Sequence, residues 1–108
     1  MSENNFTHIC FVDFKEGIER NNGIVLDVRT SFEFEFGHIK SAKNIDIYLP
    51  SFLSKIEKLD KEKHYYVNCQ SGSRSSEALR VMQELGFKNV YGLQGGISSW
   101  YYPMEKGA

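Results

Sequence analysis

Short apolar segments alternate with amphipathic segments along most of this chain. Segment 24–28 is almost wholly apolar, which is typical of a central strand buried on both faces of a sheet. The other apolar segments are bounded by polar residues or glycine, as strands usually are. The predicted strands span residues 6–12, 24–28, 42–47, 65–68 and 89–91.

The amphipathic segments predict helices, with Asp13 as N-cap of the first and Pro50 in the first turn of the third. Strands that alternate with helices indicate an α/β fold around a mostly parallel sheet. Such sheets place ligand sites at the carboxyl ends of their strands. The predicted helices span residues 13–20, 30–36, 50–59, 75–85 and 97–101.

Composition restricts the function classes. The chain has 108 residues, which fits a single domain covering residues 1–108. Its net charge is −1, so we expect no nucleic-acid partner and no anionic-membrane partner, either of which normally requires a basic excess. No apolar segment approaches the length of a membrane span.

The two cysteines, Cys10 and Cys69, do not form a disulfide framework, and the three histidines do not cluster as metal ligands would. We therefore expect no metal and no other cofactor. The first five residues are polar and do not resemble a signal peptide. A reducing cytoplasm is the expected location, and it suits a free thiol.

Cys69 lies between a predicted strand end and a predicted helix start. Backbone N–H groups at a helix start lack intrahelical partners and favour a thiolate over a thiol. Gly72 permits a tight turn, and Arg74 adds a positive charge. The pattern indicates a nucleophile. The competing interpretation, a buried structural cysteine beside an ordinary turn, fits poorly with the five polar or glycine residues that follow Cys69.

The loop 69–75 resembles the active-site loop of the rhodanese family, C-x-x-G-x-R. Further segments resemble the family in the same order: 26–29 (its D-V-R), 33–39 (its E-[FY]-x-x-G-H-I), 42–45 (its A-x-N-I) and 93–100 (its L-x-G-G-x-x-x-W). The resemblance is strongest over residues 24–100. The chain departs from it at 40–41, where the family often has Pro-Gly, and at Asp46, where it often has Pro.

The resemblance implies a three-layer rhodanese-like fold and a sulfurtransferase. In rhodaneses, the cysteine takes the outer sulfur of thiosulfate, a persulfide or a polysulfide and passes it to a thiol or cyanide. A protein acceptor is a further option. On this chain Cys69 would carry the persulfide, and Arg74 would steady its charge and attract the donor. The backbone amides expected to surround the sulfur belong to Gln70, Ser71, Gly72, Ser73 and Ser75.

Asp27 and Arg29 are supporting candidates near the loop. Asp27 ends a buried strand, where it is expected either to pair with Arg74 or Arg29, or to order loop backbone. For Arg29, an ion pair with Glu33 is favoured over a role in attracting anions. These assignments leave open whether Asp27 and Arg29 serve function or structure.

Several other residues are interpreted as structural. His38 is expected to bond the loop after the second strand. Trp100 and the phenylalanines and tyrosines are expected in the core. Cys10 is expected in the core rather than as a resolving thiol.

Two alternative functions compete with sulfur transfer to small acceptors. One is a persulfide carrier or docking module with little turnover on small donors. The other is a phosphatase or arsenate reductase. Phosphatases of the tyrosine-specific and cell-cycle classes place five residues between cysteine and arginine, whereas four separate Cys69 from Arg74. The shorter loop suits one sulfur atom better than a phosphoryl group.

Overall fold

The computed structural model describes residues 6–108 of the chain, so the polar segment 1–5 lies outside the described residues. The strands are β1 (Phe6–Ile9), β2 (Ile24–Asp27), β3 (His38–Ile39), β4 (Lys43–Asn44), β5 (His64–Asn68), β6 (Asn89–Leu93) and β7 (Met104–Glu105). Five of them form one parallel sheet in the order β1-β6-β5-β2-β4, and β3 pairs antiparallel with β7. The helices are α1 (Phe11–Arg20), α2 (Ser31–Phe36), α3 (Phe52–Glu57), α4 (Ser73–Glu84) and a 3₁₀ helix (Gly96–Ser99).

The alternation of side chains along β5 divides the core into two clusters. Tyr65, Val67 and Cys69 belong to the cluster that contains the buried apolar residues of α3 and α4. Tyr66 belongs to the second cluster, with Phe14 of α1 and Ile97 of the 3₁₀ helix. Helices therefore cover the central sheet on both sides, which confirms the predicted three-layer α/β fold with a mostly parallel sheet.

The first helix starts earlier than predicted. Cys10 has extended backbone angles and caps α1, and the Phe14 amide donates to the Cys10 carbonyl at 2.9 Å. The N-cap assignment of Asp13 was therefore wrong, although its carboxylate lies in the first turn, where the helix dipole favours an anion. The same helix start ends β1 at Ile9, well before the predicted residue 12.

Two other predicted elements are shorter in the structure. Strand 42–47 is reduced to β4, because Asp46 accepts a hydrogen bond from the Tyr48 amide and starts a turn. Helix 50–59 is reduced to α3. The helix predicted over 97–101 is a 3₁₀ helix over Gly96–Ser99 instead. The pairing of β3 with β7 was not predicted, because strands of two residues carry no detectable periodicity.

The aromatic residues divide between core and surface. Trp100 is buried, as predicted. The core assignment was wrong for the residues that leave most of their rings in solvent, namely Phe32, Phe36, Tyr48 and Tyr101. Among residues 6–108, no helix combines the length and apolar character that a membrane crossing requires.

The Tyr66 side chain leaves no room for a side chain at position 17 of α1. A Cβ at position 17 would lie 2.5 Å from the Tyr66 hydroxyl, which already accepts a hydrogen bond from Asn21 at 2.8 Å. Alanine normally stabilises a helix by about 1 kcal/mol relative to glycine. At position 17 the contact with Tyr66 makes alanine destabilising instead, because neither α1 nor the sheet can shift without losing packing.

We predict that Gly17→Ala lowers the free energy of unfolding by about 1–3 kcal/mol, measured by urea denaturation. Gly37→Ala is the matched control, because its new Cβ meets only Met104 at 3.6 Å and its backbone is extended. A Gly17→Ala protein as stable as the control would contradict the packing account.

Candidate active site

The parallel sheet brings the candidate residues to one edge. Asp27 and Asn68 are register partners at the carboxyl ends of β2 and β5, and Cys69 follows Asn68 directly. The loop then turns at Gly72, which has a φ of +114°, and α4 begins at Ser73. Because α4 starts two residues earlier than the predicted residue 75, Arg74 and Ser75 belong to its first turn.

Two backbone amides point at the Cys69 sulfur. The Gly72 N–H donates to Sγ at 3.0 Å, and the Ser75 N–H donates to it at 3.3 Å. The Ser75 hydroxyl oxygen lies 3.6 Å from the same sulfur. These are the unpaired donors of a helix start, so this environment stabilises negative charge on Sγ.

The three other loop residues predicted to surround the sulfur are Gln70, Ser71 and Ser73, and their surroundings differ from those of Gly72 and Ser75. The Gln70 side chain contacts the side chains of Arg29 and Ser98. Ser71 is exposed. Ser73 lines an open cavity of about 280 Å³ together with Ile47, Tyr48, Arg74 and Glu77.

Cys69 as a residue is only 1% exposed. The residue belongs to the α3–α4 core cluster, and its sulfur also accepts hydrogen bonds from two amides of the loop. Almost none of its surface is therefore open to a sulfur donor in this structure.

Arg74 is held by Glu33 of α2. Its two terminal nitrogens donate to the two carboxylate oxygens at 2.7 and 2.9 Å, a bidentate pair. Glu33 is itself positioned by a capping box with Thr30. The predicted pair between Arg29 and Glu33 was therefore wrong, because Arg74 occupies both carboxylate oxygens.

The ion pair shifts the pKa of both partners. Hydrogen bonding from Arg74 is the main reason why the pKa of Glu33 falls to about 2. The pKa of Arg74 is raised, chiefly by Glu33, with a smaller contribution from the charge on Cys69. Both terminal nitrogens of Arg74 are therefore engaged by Glu33 rather than by the sulfur.

Arg29 and Asp27 form a buried ion pair below the loop. Nε and Nη2 of Arg29 donate to the Asp27 carboxylate at 3.0 and 2.8 Å, so one of the two predicted partners of Asp27 is confirmed. Arg29 also donates to the Gly37 carbonyl at 2.6 Å and to Oε1 of Gln70 at 3.3 Å. The pair therefore connects the end of β2 to the residue after Cys69.

The 3₁₀ helix supports the opposite side of the loop. The Ile97 amide donates to the Cys69 carbonyl at 2.9 Å, and the Ser98 amide donates to the Gln70 carbonyl at 3.3 Å. A Cβ on Gly96 would lie 2.6 Å from the Ser71 nitrogen and still closer to the Gln70 carbonyl. The sequence showed the double glycine before this helix, but not that Gly96 makes room for the thiol loop.

The remaining candidates behave as follows. Nδ1 of His38 lies 2.8 Å from the Phe34 carbonyl and the two rings stack, which confirms a structural role. Cys10 is exposed, so its core assignment was wrong. His8, which sequence reasoning did not single out, lies 3.1 Å from the Ser75 hydroxyl. Among residues 6–108, no group of three or more acidic, histidine or cysteine residues could hold a metal ion.

Comparison with known proteins finds a family match over most of the chain. The sequence-family model of the rhodanese-like domain matches residues 11–102 of the chain. A rhodanese-related protein from Thermoplasma volcanium is 34% identical, superposes with a TM-score of 0.75, and is matched over 92% of this chain and 97% of its own. A rhodanese-like domain protein from Staphylococcus aureus shares the fold, with a TM-score of 0.82 at 24% identity over 94% of this chain and 99% of its own.

The chain also resembles part of larger proteins. A tRNA uridine(34) hydroxylase from Cytophaga hutchinsonii is 36% identical over 103 residues, which cover 93% of this chain. The chain spans only about a third of the length of that relative, 32%.

We predict that Arg29→Ala lowers the free energy of unfolding by about 3–5 kcal/mol, because it leaves the fully buried Asp27 carboxylate without its cation. Urea denaturation measures the loss. Arg80→Ala is the control, since Arg80 pairs with Glu77 and Glu84 in solvent and its removal should change stability little. Equal effects of the two substitutions would refute a structural role for the buried pair.

The Glu33–Arg74 pair predicts a pH dependence of stability. Because the pKa of Glu33 is lowered in the folded chain, the pair stabilises above the ordinary value of 4.5 and loses its effect as pH falls towards 2. The Glu33 side chain is 30% exposed, so solvent screening limits the effect to about 1–2 kcal/mol.

Urea denaturation from pH 7 to pH 2 should therefore show a stability difference between the natural chain and Glu33→Gln that disappears at the acid end. Glu35→Gln, on the exposed side of the same helix, is the control. A difference that persists unchanged at the lowest pH would rule out the ion pair as its source.

Proposed function

This chain belongs to the rhodanese family, and from that membership we propose that it is a sulfurtransferase that carries sulfur as a persulfide on Cys69. The donor would be thiosulfate, a persulfide or a polysulfide, and the acceptor a thiol or cyanide. The observation that supports the proposal best is the pair of N–H groups, from Gly72 and Ser75, directed at Sγ.

The reaction has two displacement steps. The Cys69 thiolate attacks the outer sulfur of the donor, so that a new S–S bond forms as the old one breaks. With thiosulfate, sulfite leaves with the electron pair of the broken bond. An acceptor thiolate or cyanide then attacks the outer sulfur of the persulfide, and Cys69 leaves as the thiolate.

Each loop feature has a role in these steps. The amides and the start of α4 stabilise the charge that Cys69 carries before the first step and after the second. The cavity next to the loop is lined by both Arg74 and Glu77, so only its Arg74 side would attract an anionic donor. Asp27, Arg29 and the 3₁₀ helix hold the loop and do not take part in bond making.

Burial of the thiol favours a second candidate function, a persulfide carrier that serves a larger partner. Cys69 is 1% exposed, and a macromolecular acceptor that docks on the loop could open it more readily than a small acceptor could. The match to one third of a tRNA uridine(34) hydroxylase also suits a module that works within a larger assembly. In that case the persulfide forms but passes slowly to cyanide.

Phosphatase or arsenate reductase chemistry is the weakest of the alternatives. Arg74 already donates to both oxygens of Glu33, whereas a phosphoryl group would need that fork for itself.

Intact-mass analysis after treatment with thiosulfate or polysulfide tests the proposal. We predict that the natural chain gains one sulfur atom, that Cys10→Ser gains it equally, and that Cys69→Ser gains none. Turnover with cyanide should fall by at least about 10³-fold in Cys69→Ser, because the nucleophile is lost. Initial rates should follow a ping-pong pattern.

The outcomes separate the candidate functions. A persulfide that forms on Cys69 but is not taken by cyanide would favour the carrier. Turnover that survives in Cys69→Ser would eliminate both sulfur-transfer functions. Cys69-dependent hydrolysis of an aryl phosphate, or reduction of arsenate, would establish the third.

A further inference from the structure

A short chain of polar groups connects the buried thiol to the protein surface. Sγ of Cys69 lies 3.6 Å from the Ser75 hydroxyl oxygen, and that oxygen lies 3.1 Å from Nε2 of His8 on β1. Ser75 is completely buried, whereas His8 is partly exposed beside an open cavity lined by Ser76 and Arg80. The three groups come from three elements: the end of β5, the first turn of α4, and β1.

The single hydrogen of the Ser75 hydroxyl links Cys69 to His8, because it has several acceptors within reach. The Ser75 hydroxyl has one hydrogen, which it can donate to the Gly72 carbonyl at 3.0 Å, to Sγ, or to Nε2 of His8. The Gly72 carbonyl also accepts from the amide and the hydroxyl of Ser76, at 3.1 and 2.9 Å. The Ser75 hydrogen can therefore turn to the sulfur without leaving that carbonyl unpaired.

The ionisation of Cys69 changes which hydrogen-bond partners the Ser75 hydroxyl requires. A thiol can donate to the Ser75 oxygen, but a thiolate cannot, and it instead accepts a hydrogen bond from Ser75. The buried Ser75 oxygen then needs another donor, and Nε2–H of His8 is in position to supply it. A thiolate at Cys69 is thus favoured by a proton on Nε2 of His8.

Gly92 on β6 makes room for this arrangement. It is the register partner of His8, and a Cβ at position 92 would lie 2.7 and 2.8 Å from Cδ2 and Nε2 of the imidazole. Any side chain there would displace the ring from its present position beside Ser75. This clearance is a second observation, independent of the hydrogen bonds, that the site is built around His8.

The charged side chains that the structure describes near His8 and Cys69 already have ion-pair partners. On α4, Arg80 lines the same cavity as His8 and pairs with Glu77 and Glu84. On the thiol side, Arg74 pairs with Glu33. β6 presents Gly92 to the imidazole. No cation in this set is better placed than His8 to exchange a proton with the Ser75–Cys69 pair.

We propose that His8 is a positioning residue that acts through Ser75 to set the protonation state of the Cys69 thiol. The S–H bond breaks and its proton bonds to the Ser75 oxygen, while the original Ser75 proton bonds to Nε2 of His8. The products are a thiolate and an imidazolium, with no proton lost. The imidazolium later releases a proton to water from its exposed side, which gives the buried thiol a route for its proton while the loop stays closed.

The inference rests on the proposed function only in its purpose, since it concerns the ionisation of Cys69 and not the sulfur it carries. The test therefore measures ionisation directly, by thiolate ultraviolet absorbance against pH in a Cys10→Ser protein, with the Cys69→Ser version subtracted. We expect His8→Ala to move the midpoint of Cys69 ionisation to higher pH by about one unit, which is a tenfold loss of thiolate below the midpoint.

Gly92→Ala supplies a second variant that keeps the imidazole. It should move the midpoint in the same direction, and the double variant His8→Ala/Gly92→Ala should show no more than the His8→Ala shift, because the two changes remove the same contact. His64→Ala is the control, since His64 starts β5 at the opposite end of that strand from Cys69.

A reciprocal titration excludes a merely structural role. If thiolate and imidazolium stabilise one another, Cys69→Ser should lower the midpoint of His8 titration, followed by NMR, by about the same amount. The proposal is overturned if either midpoint is unchanged. Coupled titrations without sulfur uptake would leave this inference standing and remove the proposed function, whereas sulfur transfer without coupling would do the reverse.

Discussion

The site depends on one constraint: a buried sulfur placed where a parallel strand ends and a helix begins. The side-chain alternation of β5 turns Cys69 toward the layer that contains α4, and the left-handed turn at Gly72 directs the Gly72 and Ser75 amides back at Sγ. Charge on the sulfur is thereby stabilised by peptide dipoles rather than by a full cation in direct contact. The reactive form of a thiol can then exist in a place that water hardly reaches.

The surrounding structure keeps this loop in shape. The buried Asp27–Arg29 pair holds it at the end of β2, and the 3₁₀ helix donates to its first two carbonyls. The Glu33–Arg74 pair connects the first turn of α4 to α2. These supports come from segments that are distant in sequence but meet at the carboxyl edge of one sheet, as ligand sites of parallel sheets generally do.

The family resemblance implied the three layers, whereas periodicity and element boundaries predicted the parallel sheet and the position of Cys69, because these follow from local patterns. They failed where the outcome depends on three-dimensional packing. The choice of Arg74 rather than Arg29 as partner of Glu33 depends on where α2 meets α4. The exposure of Cys10 depends on α1 starting at Phe11, and the contact of His8 with Ser75 depends on the β1–β6 register. No sequence motif indicates the exposure of Cys10 or the contact of His8 with Ser75.

A crystal structure of the chain after thiosulfate treatment would test the central claim most directly. The account predicts one additional sulfur bonded to Sγ of Cys69 and lying within about 3.5 Å of backbone N–H groups of the loop between Gln70 and Ser75. An unmodified Cys69 under conditions of sulfur turnover, or an added sulfur directed into the apolar layer between the sheet and α4, would contradict it.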